Sequence, residues 1–197
     1  MEPSLILDKI RIAAGEASDS YLRVTLFESD PGNVRVMTAL RAPVAPASAP
    51  VSLLPVNYQR RAAHIKHVGS FGQLYFGRVA KQQGFDDALL TTPEAEISET
   101  ATANIAFVEA DGTLPKPSTP SLHGITWQLL DGALAEAGIR TRSRPIMLKD
   151  LSGFAGALVT NSLGVVSVST SGPATFNDDA PVQAIADVYE SIGWDSI

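Results

Sequence analysis

Cysteine is absent from the 197 residues. That excludes disulfides and thiolate metal sites, and it makes a reducing compartment, the cytoplasm, the expected home. Charge is sparse, at 18% of residues. No basic block offsets the net charge of −6, which argues against a nucleic-acid binder. No run approaches the roughly 18–20 apolar residues of a membrane span, so no membrane partner is expected. The first residues, MEPSLILDKIRIAA, carry acids and lack the basic start of a signal peptide.

What is present is a substantial apolar fraction, 45% of residues, enough for a real core. The length allows one ordinary domain, or one domain and part of another. Residues 4–15 read as a short helix. Tyr21–Glu28 and Asn33–Leu40 alternate polar and apolar around SDPGN, a hairpin signature. The proline-rich stretch 41–56 has few charges and reads as a linker or edge segment, with a domain boundary near 57–65.

Lys66 stands at the start of an expected helix whose apolar face is Val68, Phe71, Leu74, Tyr75 and Val79, with its stop at Gly84. Strands are expected at 87–92, 97–99 and 104–109, then a loop held by Pro115, Pro117 and Pro120. Gly124 opens a second helix, with Ile125, Leu129, Ala133, Leu134 and Ala137 on its apolar side and Gly138 as its stop. A strand near 140–147, a strand–break–strand over 156–170 and a helix over 181–192 complete the chain. Strands and helices mix without strict alternation. The expectation is an α+β fold with a mixed or antiparallel sheet.

Four short stretches could carry chemistry. In AAHIKHVGSFG, Lys66 lies between His64 and His67 and lacks charged company. The histidines are three apart, but a metal would need a third ligand such as His123 or a carboxylate, and no metal site is expected. In LHGITWQLL, a glycine at a helix start followed by Thr126 suits an anion, as it also suits ordinary capping. In VTNSLG, Asn161 and Ser162 interrupt an apolar double strand and must find polar partners. In ISETATANIAF, Glu99 is either solvated or a buried acid beside a cationic partner. Each stretch, taken alone, has an ordinary structural reading.

Their order is more specific. Lysine, then Glu-Thr-Ala-Thr-Ala-Asn-Ile about thirty residues on, then Leu-His-Gly-Ile-Thr, then Val-Thr-Asn-Ser-Leu, resembles the class IV aminotransferase family. These are the fold-type IV enzymes that use pyridoxal 5'-phosphate, among them branched-chain and D-amino-acid aminotransferases and aminodeoxychorismate lyase. The resemblance implies a D-amino-acid aminotransferase-like fold with a complete large C-terminal domain, residues 57–197, and a partial small N-terminal domain, residues 1–56. It implies that Lys66 is the Schiff-base lysine and that Glu99 pairs with the pyridine nitrogen. Gly124, Ile125 and Thr126 would cradle the phosphate with Asn161 and Ser162. The implied activity is amino transfer between an amino acid and a 2-oxo acid. A homodimer is implied in the same way.

The chain also departs from the family pattern. Trp127 follows Gly-Ile-Thr where a basic residue is usual, Ala106 follows Asn-Ile where an aromatic is usual, and Gly69 stands where asparagine is frequent. An early His-x-x-Arg-Leu stretch is lacking, so the chain is expected to begin within the small domain. Phe27 and Glu28 stand where some relatives place an arginine for the substrate carboxylate. Two alternatives follow: a lyase of the aminodeoxychorismate type, and a truncated, non-catalytic member.

Overall fold

The computed structural model describes residues 3–193. It divides into two compact units, one up to Ala45 and one of Pro46–Ile192. The first unit holds helix α1 (Pro3–Ala14) and the hairpin of β1 (Tyr21–Asp30) and β2 (Asn33–Arg41). The hairpin register pairs Leu22 with Leu40 and Leu26 with Val36, which gathers the apolar residues on one face. Gly32, at φ +79°, supplies the positive-φ turn.

The second unit is built on a sheet with β5 (Ile97–Thr100), β4 (Asp87–Thr91), β3 (Val51–Asn57), β10 (Gly164–Ser171), β9 (Gly156–Asn161) and β6 (Asn104–Val108) in spatial order, with β11 (Ala174–Thr175) on β10. β3 runs parallel to β4 and β10; the other pairings are antiparallel. The sheet is mixed, as the interleaved helices and strands imply. A separate parallel pair joins β7 (Leu114–Pro117) and β8 (Thr141–Arg144).

Both faces of the sheet are covered, so β6 and β9 are buried along nearly their whole length. In β6, Ile105 and Phe107 enter one core cluster with Leu53, Leu89 and Val159. Ala106 and Val108 enter another with Trp127, Leu130 and Leu134 of α3 (Ile125–Glu136) and Val182 and Ile185 of α4 (Ala180–Glu190). A third cluster seats α2 (Phe71–Gln82) on β4 through Ala80, Ala88, Leu90 and Ala101.

Several expectations change. Residues 51–57 are not a linker but β3, flanked on both sides. Pro55 is tolerated because β10 pairs with β3 only through Leu53, so the N–H that proline lacks is not needed on that side. Lys66 does not open a helix: α2 begins at Phe71, and 61–70 is an irregular loop. The buried side of α2 is Gly77 and Ala80, while Val68, Phe71, Leu74 and Tyr75 are exposed. The small residues win because the helix lies close to the sheet; a Cβ on Gly77 would stand 3.3 Å from that of Ala101. In α3 the buried residues are Thr126, Trp127, Leu130 and Leu134, so the apolar face is rotated from the expected one, and Ile125 and Leu129 are exposed. The proline loop at 114–117 is β7. Leu114 donates to Arg140 O, just before β8, and Ser118 to Arg144 O at its end, while the two prolines, whose N–H groups are missing, fall on alternate positions. Among the described residues no helix is long and apolar enough to cross a membrane.

Candidate active site

Glu99 lies on β5, opposite Leu90, and is 4% exposed. The turn that follows it explains the run of small residues. The Thr100 N–H donates to Ala103 O at 2.8 Å, and Thr100 Oγ1 accepts the Ala103 N–H at 2.9 Å. Ala101 is buried under α2. The run is therefore a tight β5–β6 turn that leaves room for the helix carrying the chain away from Lys66.

A buried carboxylate needs donors. Oε2 of Glu99 accepts the Leu122 N–H at 3.2 Å, and Oε1 accepts from Arg60 at 3.1 Å. Burial pushes the Glu99 carboxyl above its usual range. The Leu122 N–H and the charges of Arg60 and Lys66 oppose that rise. Lys66 itself is exposed in its loop, one residue after Ile65, whose carbonyl accepts from the same Arg60 at 2.8 Å.

The path continues to the start of α3. The Asn104 amide donates to Leu122 O at 2.7 Å, and its Oδ1 lies where a Cβ on Gly124 would come within 2.1 Å. Gly124 is therefore demanded by close approach rather than by φ, which is −62°. No side chain caps this helix, so the first-turn N–H groups are open to an anion. Thr126 is buried and donates to Asn161 O at 2.6 Å. The Asn161 side chain accepts the Leu163 N–H at 2.8 Å and shapes the β9–β10 turn, in which Ser162 is exposed.

Contacts thus run unbroken from the Lys66 loop through Arg60, Glu99, Leu122 and Asn104 to Gly124, and Thr126 ties α3 to Asn161. Ile125 and Ser162 make no side-chain contact in this set; Ile125 is 69% exposed. Arg60 lies outside the motifs, and Asn104, the asparagine of Glu-Thr-Ala-Thr-Ala-Asn-Ile, had no role assigned. Nothing in YQRRAAHIK separates Arg60 from Arg61, since only the fold decides which arginine turns inward. His67 bonds the Arg61 carbonyl at 3.1 Å, and no group of three metal-ligating side chains occurs among the described residues. Trp127 fills the place where a basic residue was expected, and the Lys116 ammonium stands 5.1 Å from its ring centroid, so a cation reaches that position from β7.

The donor set fits a phosphorylated, cationic aromatic cofactor. A buried acid has lone pairs to spare, an amine stands near it, and an uncapped helix start adjoins a hydroxyl-bearing turn. A cavity of 360 Å3 adjoins this set, lined in part by His64, Asn104, Lys116, His123, Gly124 and Trp127. Lys66 is not in its wall.

The chain resembles known proteins. A probable branched-chain-amino-acid aminotransferase from Rickettsia felis is 37% identical over 84 residues, which is 42% of this chain and 29% of that relative's length. The crystal structure of a branched-chain aminotransferase from Thermoproteus uzoniensis superimposes with a TM-score of 0.83 at 20% identity, covering 95% of this chain and 69% of that one. An aminotransferase from Brucella abortus, solved bound to PLP, superimposes with a TM-score of 0.81 at 19% identity, covering 95% and 72%. The family model of the class IV aminotransferases matches residues 5–170, and the chain belongs to that family.

Proposed function

We propose that the chain is a pyridoxal-phosphate-dependent aminotransferase that moves an amino group between an amino acid and a 2-oxo acid. The observation that carries this reading is the buried Glu99, joined through Arg60 to the peptide before Lys66 and through Leu122 and Asn104 to the start of α3. Pro46–Ile192 would be the cofactor-binding unit. The Brucella abortus relative was solved with this cofactor, which supports the choice.

When bound, the cofactor supplies an electron-poor ring that accepts density from the substrate α-carbon. The chain's residues do the rest. Lys66 would hold the cofactor through Nζ, and its free amine would serve as general base and acid for the substrate α-proton. Glu99 would hold the ring nitrogen. The N–H groups of Ile125 and Thr126, with the Asn161–Ser162 turn, would hold the phosphate.

Adding pyridoxal 5'-phosphate should give a visible absorbance band that the Lys66→Ala variant lacks; wild type without a band would sink the reading. Amino transfer to 2-oxoglutarate supports the aminotransferase. Pyruvate release from aminodeoxychorismate would instead assign the chain to the lyase branch that IKH and TNSL resemble. Cofactor binding without either turnover would mark a non-catalytic member.

We read the chain as a cytoplasmic homodimer. Ile65, Val68, Phe71, Leu74 and Tyr75 form an exposed apolar surface beside Lys66, with Phe71 stacked on Tyr75 at 6.0 Å. Val68 is 87% and Phe71 82% exposed, a degree of exposure that marks an interaction surface. A second copy seated there would keep water from the amine. Light scattering should report a dimer, and Phe71→Glu should give monomers.

A further inference from the structure

Arg60 is a buried cation outside the set that the family motifs mark. Its side chain is 6% exposed, as is that of Glu99. A guanidinium so far from water is costly unless its partners are close. One nitrogen reaches both Glu99 oxygens, at 3.1 and 3.4 Å. The other terminal nitrogen donates to Ile65 O at 2.8 Å, in the peptide directly before Lys66. The planar fork is rigid, so both bonds are met only when the acid and that peptide hold one relative position. The charges acting on Glu99 are Arg60 and Lys66, and the remaining donor is the Leu122 N–H from the loop before α3.

We propose that Arg60 is a positioning residue of this site: its guanidinium pairs with Glu99 and ties the peptide before Lys66 to it, so that the acid and the Lys66 loop form one rigid unit. The inference rests on the cofactor reading of Lys66 and Glu99 and deepens it. Burial alone drives Glu99 toward its neutral form, which would leave a ring nitrogen without an anion. Arg60 opposes that drift from inside the chain, before any cofactor arrives. A lysine at this position would keep the charge and lose the bridge, because an ammonium on a flexible stem cannot hold two divergent acceptors in one plane.

The test uses the full chain with and without cofactor. Without cofactor, thermal unfolding of wild type, Arg60→Met, Glu99→Gln and the double variant is followed from pH 5 to pH 8. Arg60→Met should lose more stability at pH 8 than at pH 5, and adding Glu99→Gln should restore most of it, because no anion is then left unpaired. A loss equal at both pH values and undiminished by Glu99→Gln would overturn the proposal, leaving Arg60 as mere packing.

With cofactor, pyridoxal 5'-phosphate affinity is read from visible absorbance. Arg60→Met should weaken it about tenfold or more, the scale of one lost charge-assisted hydrogen bond, and should move the pH profile of the band. Arg60→Lys should fold and show a smaller loss. Affinity and pH profile unchanged in both variants would overturn the proposal. Wild type that takes up no cofactor would defeat the cofactor reading alone, and the four-variant cycle would still decide the ion pair.

Discussion

The Asn104 side chain occupies the space beside the bare Cα of Gly124. A Cβ there would sit 2.1 Å from Oδ1, and the amide cannot swing away without giving up its 2.7 Å bond to Leu122 O. Gly124→Ala should therefore cost about 1–3 kcal/mol in chemical denaturation. It should also weaken pyridoxal-phosphate uptake, because the helix start must move. Asn104→Ala added to Gly124→Ala should recover part of the cofactor affinity. No recovery would mean that the clash is not with Asn104.

Lys66 is exposed, so its loss should leave the fold intact. Lys66→Ala should change unfolding stability by no more than about 0.5 kcal/mol while abolishing the visible band and turnover. A variant that unfolds would show that the loop needs its lysine for structure.

Glu99 sets a pH dependence whose sign follows from its raised pKa. The folded chain holds this proton to higher pH than the unfolded chain does. Stability is therefore greatest below the ordinary carboxylate range, falls as pH rises from that range through the raised folded value, and levels off beyond it. Glu99→Gln should remove this component. Across that window the melting temperature of wild type should fall with rising pH while that of the variant stays flat.

Thr126 donates to Asn161 O at 2.6 Å from a position only 7% exposed. Thr126→Val keeps the shape and leaves the carbonyl unsatisfied. The expected cost is about 1–3 kcal/mol, with weaker phosphate retention. Thr126→Ser should keep the bond and most of the stability. Urea titration of the two variants separates the hydroxyl from the methyl.

The motifs of the candidate site were legible as runs of small and polar residues, each answering to one close contact. Gly124 answers to one neighbouring side chain, and the small residues after Glu99 answer to one tight turn. The α+β class was legible from the mixture of periods. What the sequence hid was set at long range. Pro55 reads as a breaker until β10 is seen to pair no further than Leu53. Phe71 and Tyr75 read as core because period alone does not distinguish a face turned to the sheet from one turned outward, and here Gly77 and Ala80 lie inward instead. Arg60 was invisible for the same reason: its two partners lie five and thirty-nine residues away, and no local pattern encodes both.

Most ties that assemble the site end on main-chain atoms: the carbonyls of Ile65, Leu122 and Asn161 and the amides of Leu122 and Leu163. A peptide group is the same whatever side chain it carries. Ile65, Leu122 and Leu163 can therefore drift in identity while the geometry they hold persists, and constraint concentrates on Arg60, Glu99, Asn104 and Thr126. A saturation library scored for cofactor retention would show that division as tolerant positions standing directly beside intolerant ones.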